Sequence, residues 1–521
     1  MAIDPWVDVT MTDGSPGRLG LAGLLAEAHR IEALAVGMPP AECGLLRILY
    51  ALGLRAAGLE EMTGGDRYAL LEAGRFDPEL VAGYFSQYEG RFGLFDPARP
   101  WMQEPRLPGQ MDTVLESGRR KGERVRKSSG VGKLAWGRAS ATSSAWFGPF
   151  HDGNPVPVPA AEAALHLVAW LWYGQGGPQG PDRTTKTQKK RHASVAPLRG
   201  LVSYHPTGRT LFETIVLGIP EVEEPPEVDA DLAPWEADVL PDPDGTLPEA
   251  AGPVSLLTAR AQHALLLVPD DERSSASDLY VSWAWPDTLP AVRDPYVMWR
   301  ESEKGTPYPQ RAQVGRSLFR DLDGLLLHAN PGAVARRPLI MDAIHDVPAT
   351  VLTHVGVTAY GFEQSREKGG GEVGWYRSAT PPVLVALREE EAANTARIAV
   401  VRERAELAGS RLVWALDSVW KETAVPAGGK VPPSPWGKAA EAGYWPRAEA
   451  AFWEILGGGE WDSAPEAFGR IALDVYDRLT REAADADDPR TVRAAVVHRR
   501  KVLSALRTGS VKTDQGKGNA A

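Results

Sequence analysis

Apolar residues recur at helical spacing in two stretches near the N-terminus, Leu21 to Leu34 and Cys43 to Leu54, with Pro39-Pro40 between them. Steps of three and four residues put such positions on one face of a helix, so both stretches predict core helices. A short strand over residues 3–9 precedes them, followed by a turn at Asp13-Gly14. Further along the period changes: His263 to Pro269 and Asp278 to Trp285 alternate or run apolar as strands do, and Arg337 to Asp342 and Ala349 to Tyr360 read the same way. After Pro381-Pro382 the helical period returns over residues 385–421, 438–457, 464–484 and 489–507, with Gly428-Gly429 and Gly457 to Gly459 as punctuation. Four amphipathic helices on short connections predict a four-helix bundle. The pattern as a whole predicts an α+β chain. A mixed N-terminal domain with a mainly antiparallel sheet spans residues 1–365, and the bundle with a polar C-terminal tail spans 366–521.

Two stretches follow neither period. Gly218 to Pro253 is acidic and proline-dense, and is expected to be a surface excursion too polar to bury. Residues 105–158 read as a long irregular loop region, and loops of that length are commonly functional or disordered. It is also basic: Arg119 to Arg138 holds eight basic residues, Arg124, Arg126 and Lys127 among them, against the single Glu123. Trp146 and Phe147 follow on the same stretch. Aromatic rings interleaved with arginine and lysine stack on bases while the charges track phosphates. The same rings serve equally well to plug a loop onto a core, and both readings stand.

Composition narrows the classes. A length of 521 residues fits two or three domains, and a net charge of −11 argues against a surface coated in DNA-binding charge. Basic tracks on an acidic total suit contact with a polyanion along defined lines, and equally a protein with ordinary solvated loops. The single cysteine, Cys43, lies in an apolar helical context, which excludes an internal disulfide or a multi-cysteine zinc site. There is no signal-like N-terminus and no apolar run near the roughly 20 residues that cross a bilayer, so a cytoplasmic protein without membrane contact is expected. Two His-Asp dipeptides, His151-Asp152 and His345-Asp346, lack further ligands at helical spacing. No P-loop, nucleophile elbow or dinucleotide fingerprint occurs. No metal or cofactor is expected, and a binding protein is favoured over a metal-dependent nuclease or phosphohydrolase. A purely structural scaffold is the other alternative.

The stretch from Trp170 to Thr210 carries most of the functional signal. A tryptophan-rich helical run ends in a glycine loop, Gly174-Gln175-Gly176-Gly177, and a segment containing Lys186, Lys189, Lys190 and Arg191 follows. No acidic residue occurs between Arg183 and Arg209. Glycine lets the backbone approach a ligand closely, and the cations make a polyanion the natural one. The alternative is a solvated surface loop.

The run Phe92-Gly-Leu-Phe-Asp-Pro-Ala-Arg-Pro-Trp-Met-Gln103 resembles the segment that marks the large subunit (CasA) of the type I-E CRISPR Cascade complex. Ile3-Asp4-Pro5-Trp6-Val7 looks like that family's first strand. The helix Pro159 to Trp170 with its glycine loop, then Tyr204 to Thr214 and Asp294-Pro295-Tyr296, continue the family's order across essentially the whole chain. The resemblance implies a non-catalytic subunit that recognises the protospacer-adjacent motif in double-stranded DNA and helps open the duplex for R-loop formation. It also implies crRNA, the other Cascade subunits and a recruited helicase–nuclease as partners. Gly174, Gln175, Gly176 and Gly177 match the family's motif-reading glycine loop by order. Gln364, four places after Tyr360, resembles its strand-separating wedge; a turn glutamine capping a strand end is the other reading. The family's lysine finger has no counterpart, since no lysine lies between Arg191 and Lys304. Tyr280 holds roughly that place, and Arg293 or the segment from Lys186 to Arg191 is a substitute cation.

Overall fold

The computed structural model describes residues 1–111, 113–115, 124–138, 150, 155–177, 183, 192–221, 229–285, 293–302, 304–326, 335–364, 373–384, 392–424, 431–484 and 489–507. The chain divides into two compact units, Met1–Val314 with His328–Val385 and Gly315–Leu327 with Ala386–Ala521.

The first unit is built on the helix Pro39–Ala56, which is buried over almost its entire length. Pro39 and Pro40 open this helix, where their missing N–H groups cost nothing. Against it pack the helices Ala160–Tyr173, Leu211–Gly218 and Pro253–Thr258. Gly44 sets the approach to the first of these, because a Cβ there would lie 2.7 Å from Val168 and 2.8 Å from Trp172. Every strand pairing among the described residues is antiparallel, but the strands form five small sheets rather than one. The sheet that carries Gln364 has Gly356–Gln364 at its centre, between Val202–Thr207 and Val373–Ala379. A second carries Ser275–Trp283 between Val158–Pro159 and His263–Pro269.

Three sequence expectations need correction. Leu21 to Leu34 is not one helix: it is a helix at Leu21–Ala26, a 3₁₀ turn at Ala28–Arg30 and a strand at Ile31–Leu34. That strand pairs with Val7–Met11, and backbone partners on a neighbouring strand override local helix preference. Leu339–Asp346 is 3₁₀ and Ala349–Leu352 is helical; only Gly356–Gln364 is a strand of that region. The acidic stretch is not simply solvated. Asp231 is fully buried and accepts from the Val254 and Ser255 N–H groups at the start of the helix Pro253–Thr258. Trp235 and Glu236 are buried too, with the Trp235 indole donating to Tyr84 Oη at 2.8 Å and Tyr84 donating to Glu236 at 2.6 Å. Paired carboxylates can enter a core that unpaired ones cannot.

The second unit is a four-helix bundle of Ala392–Thr423, Trp436–Gly458, Ala464–Ala484 and Pro489–Arg507. The first helix touches the other three. Leu412, Leu416, Phe452, Phe468 and Val475 form its seam. The segment Gly315–Leu327 belongs to this unit as well: Phe319 meets Phe452 at 4.7 Å, and Arg320 lies 3.7 Å from the centre of the Trp445 ring. No helix among the described residues is long and apolar enough to cross a membrane.

Candidate nucleic-acid interface

The helix Ala160–Tyr173 ends with Trp170, Trp172 and Tyr173 buried and Gly174 as its C-cap. The aromatic end is locked by neighbours from three places in the sequence. Trp170 donates to the Leu134 carbonyl at 3.1 Å and meets Trp136 edge-on at 5.9 Å. Tyr173 stacks on Phe362 at 5.4 Å, and Phe362 stacks on Trp375 across the sheet. The chain then surfaces within a few residues: Gly174 is buried, Gln175 exposed, and Gly176 and Gly177 half-buried. The tryptophans of the junction are thus core, and the glycines are its outlet.

Each glycine has a reason. A Cβ on Gly174 would sit 2.6 Å from the Trp170 carbonyl and 2.8 Å from the His263 ring. Gly177 has φ +93, a backbone conformation that side chains rarely tolerate. It exchanges backbone hydrogen bonds with Ala193 in both directions, at 2.8 and 3.1 Å. The Gly174 N–H caps Trp170, and its carbonyl accepts from Ala196. The N–H groups of Gly174 and Gly177 are therefore spent inside the chain, which makes the loop a braced surface rather than a row of open donors.

His263 fixes the remaining turn. Its Nε2 lies 2.9 Å from the Gln175 carbonyl, which only accepts, so Nε2 carries the proton. Burial pushes its pKa down to about 4, with Arg199 and Lys133 adding to the depression, so the ring is neutral near pH 7.

Arg199 links the two predicted parts of the site. Its Nη1 donates to the Tyr173 carbonyl at 2.6 Å, immediately before the glycine loop, and its Nε donates to Gln364 Oε1 at 2.8 Å. The guanidinium lies 4.6 Å from the centre of the Phe362 ring, and burial pushes its pKa down to about 10. Gln364 is the last residue of its strand and is exposed. The structure brings the glycine loop and Gln364 together through Arg199, which lies in the acid-free stretch after the loop.

The other candidates divide. Trp146, Phe147, Lys186, Lys189, Lys190 and Arg191 lie outside the described residues. Arg124 and Arg126 form a strand paired with Thr113–Leu115, and Lys127 beside them is exposed. Arg293 is exposed, whereas Tyr280 packs beside Leu107, Met111 and Trp285. Arg183, from the basic segment, is buried: it donates to Gln110 and to the Trp283 carbonyl and sits 4.5 Å from the centre of the Trp283 ring. His151-Asp152 is outside the described residues, and Asp346 abuts Gly64 at the start of the helix Gly64–Ala73.

Comparison with known proteins concerns the family and the fold. The family described as CRISPR-associated protein Cse1 matches residues 1–484. A CasA/Cse1 protein of Thermus thermophilus is 25% identical over 327 residues, which are 62% of this chain and 59% of that protein's length. A solved chain titled CRISPR RNA-guided surveillance complex superposes with a TM-score of 0.81 at 34% identity, covering 96% of this chain and 99% of its own. Thermobifida fusca Cse1 gives a TM-score of 0.71 at 18% identity with 98% of each chain covered, a likeness of fold. From the family match and the full-length structural match, the chain belongs to the Cse1 family, also called CasA.

Proposed function

We propose that this chain is the large subunit of a type I-E Cascade complex and reads the protospacer-adjacent motif of double-stranded DNA from the minor groove. Gly174 to Gly177 serve as the shape reader, and Gln364 is the wedge under the first opened base pair. The minor groove offers few distinguishing groups, so a close backbone approach suits it, while guide RNA pairing reads the rest of the sequence. One observation carries this reading: Arg199 holds the Tyr173 carbonyl and Gln364 at the same time, so loop and wedge share one support. Contact with crRNA, the other subunits and the helicase–nuclease belongs to the same proposal, with no covalent chemistry by this chain.

The test uses the assembled complex and a motif-bearing duplex with a fluorescent base beside the motif. Gly176→Asp weakens capture by about tenfold or more, the scale of one lost charged contact. Gly176→Ala carries the same Cβ crowding against Val195 without the charge, and separates strain from repulsion. Gln364→Ala leaves capture near normal and slows opening. Equal capture by Gly176→Asp and the parent removes the loop from the site, and an unchanged opening rate removes Gln364.

A further inference from the structure

A cavity of about 360 Å³ in the first unit is lined by Arg47, Arg199, Arg260 and Arg311, and Asp294 is the one acidic residue on its wall among the described residues. Asp294 is already engaged, 2.8 Å from Arg47. Arg199 is engaged by the Tyr173 carbonyl and Gln364, but three other polar groups on the wall are short of partners. Arg47 is 3% exposed, and its Nε and Nη1 have no hydrogen-bond partner. Arg260 donates through Nη1 to the Pro248 carbonyl, but its Nη2 is buried and unpaired. The Trp299 indole N–H is buried and unpaired as well. Arg311 is exposed, with no side-chain hydrogen bond or ion pair among the described residues.

Every orphan on this wall is a donor, and the unbalanced charge is positive. Guanidinium groups held away from water without counter-charge are costly, and burial already pushes the Arg260 pKa below its ordinary value. An anion relieves both deficits. A phosphate monoester suits several guanidinium forks better than a carboxylate, because it has three acceptor oxygens and nearly two charges. Apart from Ser194 and Gln262 the rest of the lining is apolar, with Trp172 and Trp299 on it. Tryptophan faces favour a flat heterocycle. The volume is at the small end of the roughly 300–1,000 Å³ typical of small-ligand sites.

We propose that this cavity binds a nucleoside 5′-monophosphate, with the phosphate on the arginines and the base against the tryptophan wall. The ligand is either a free nucleotide or the 5′-phosphorylated end of a strand, which present the same chemistry. The proposal is independent of motif reading by the glycine loop.

Calorimetric titration of the full chain tests it, with AMP, adenosine and inorganic phosphate as separate probes. AMP binds at one site, while adenosine and inorganic phosphate each bind at least tenfold more weakly. Arg311→Gln weakens AMP by about tenfold, as loss of one charge-assisted contact predicts. Arg311 is exposed, so this variant keeps the parent melting temperature; Arg260→Gln is the second variant. A 5′-phosphorylated dinucleotide identifies the source: tighter Arg311-dependent binding than AMP indicates a strand end, and weaker binding a free nucleotide. No AMP binding at millimolar concentration, or AMP binding equal in parent and Arg311→Gln, overturns the proposal.

Discussion

Arg67 and Arg470 are both arginines paired with a glutamate, yet one is sealed in the first unit and the other rides on the outside of the bundle. Arg67 is fully buried and donates to the Val216 and Ile219 carbonyls and to Glu221. Arg470 and Glu466 leave 70% and 79% of their side chains in solvent. Other pairs of the two units show the same contrast. In the first, Tyr360 donates to Glu42 and His205 lies between Tyr50 and Ser203, all of them inside, and buried Arg47 holds the half-buried Asp294. In the bundle, Arg447–Asp474 and Arg499–Asp477 sit at the surface around an apolar seam. Short strands and loops have many backbone ends to satisfy, and buried side-chain donors do that work. Long helices satisfy their own backbone and need only a continuous apolar face. A loop that must be presented in one shape is better served by the first arrangement.

The largest expected effect that would break this contrast is at Arg67. Arg67→Leu strips partners from two buried carbonyls, and each buried acceptor left without a partner costs about 1–3 kcal/mol. Urea unfolding measures the loss, and amide hydrogen exchange locates it around Leu211–Gly218. A cost near zero means that the buried cations of the first unit are passengers.

Next in size is the response to acid. His263 has a folded pKa of about 4 against about 6.5 when unfolded, so between those values the unfolded chain binds the extra proton. The stability contributed by neutral His263 is complete above pH 6.5, falls as the pH drops through that window, and is gone by about pH 4. The shift corresponds to a loss on the order of 3 kcal/mol. His205 is pushed down in the same direction by burial and by Arg47. His263→Gln keeps a donor for the Gln175 carbonyl but cannot titrate, so the pH slope of stability between 6.5 and 4 becomes shallower by about one proton. An unchanged slope excludes His263 as the brace of the glycine loop.

What was legible in the sequence follows the same divide. The bundle could be read because its helices keep one period for many turns; the reading of residues 464–484 agrees with the helix Ala464–Ala484 to the residue. Strands His263–Pro269 and Ser275–Trp283 were visible because they are long and apolar. Ile31–Leu34 was hidden because four residues carry too little pattern, and its strand character comes from Val7–Met11. The glycine loop stood out by residue type, and Gln364 only through its resemblance to the family's wedge. Arg199 and His263 did not, because a buried arginine and a neutral histidine read in sequence as an ordinary cation and a strand residue. Their roles arise only from contacts across 165 and 88 positions of chain. A weak signal existed for Arg199: it lies in the acid-free stretch between the two motifs.

The smallest expected effect probes the bundle side of the contrast. Glu466→Ala removes the i, i+4 partner of Arg470 on the outside of its helix. In water such a pair gains little over solvation, and ordering two long side chains consumes much of that gain. The urea midpoint should move by no more than the scatter of repeat measurements, at low and at high salt. Phe468 and Ala472 on the buried side of the same helix face the seam, so Phe468→Ala serves as the positive control and shifts the midpoint strongly. A clear loss from Glu466→Ala at low salt that vanishes at high salt shows the bundle depending on surface charge. The distinction between an interior held by polar contacts and one held by an apolar seam then fails on the side where it is drawn most simply.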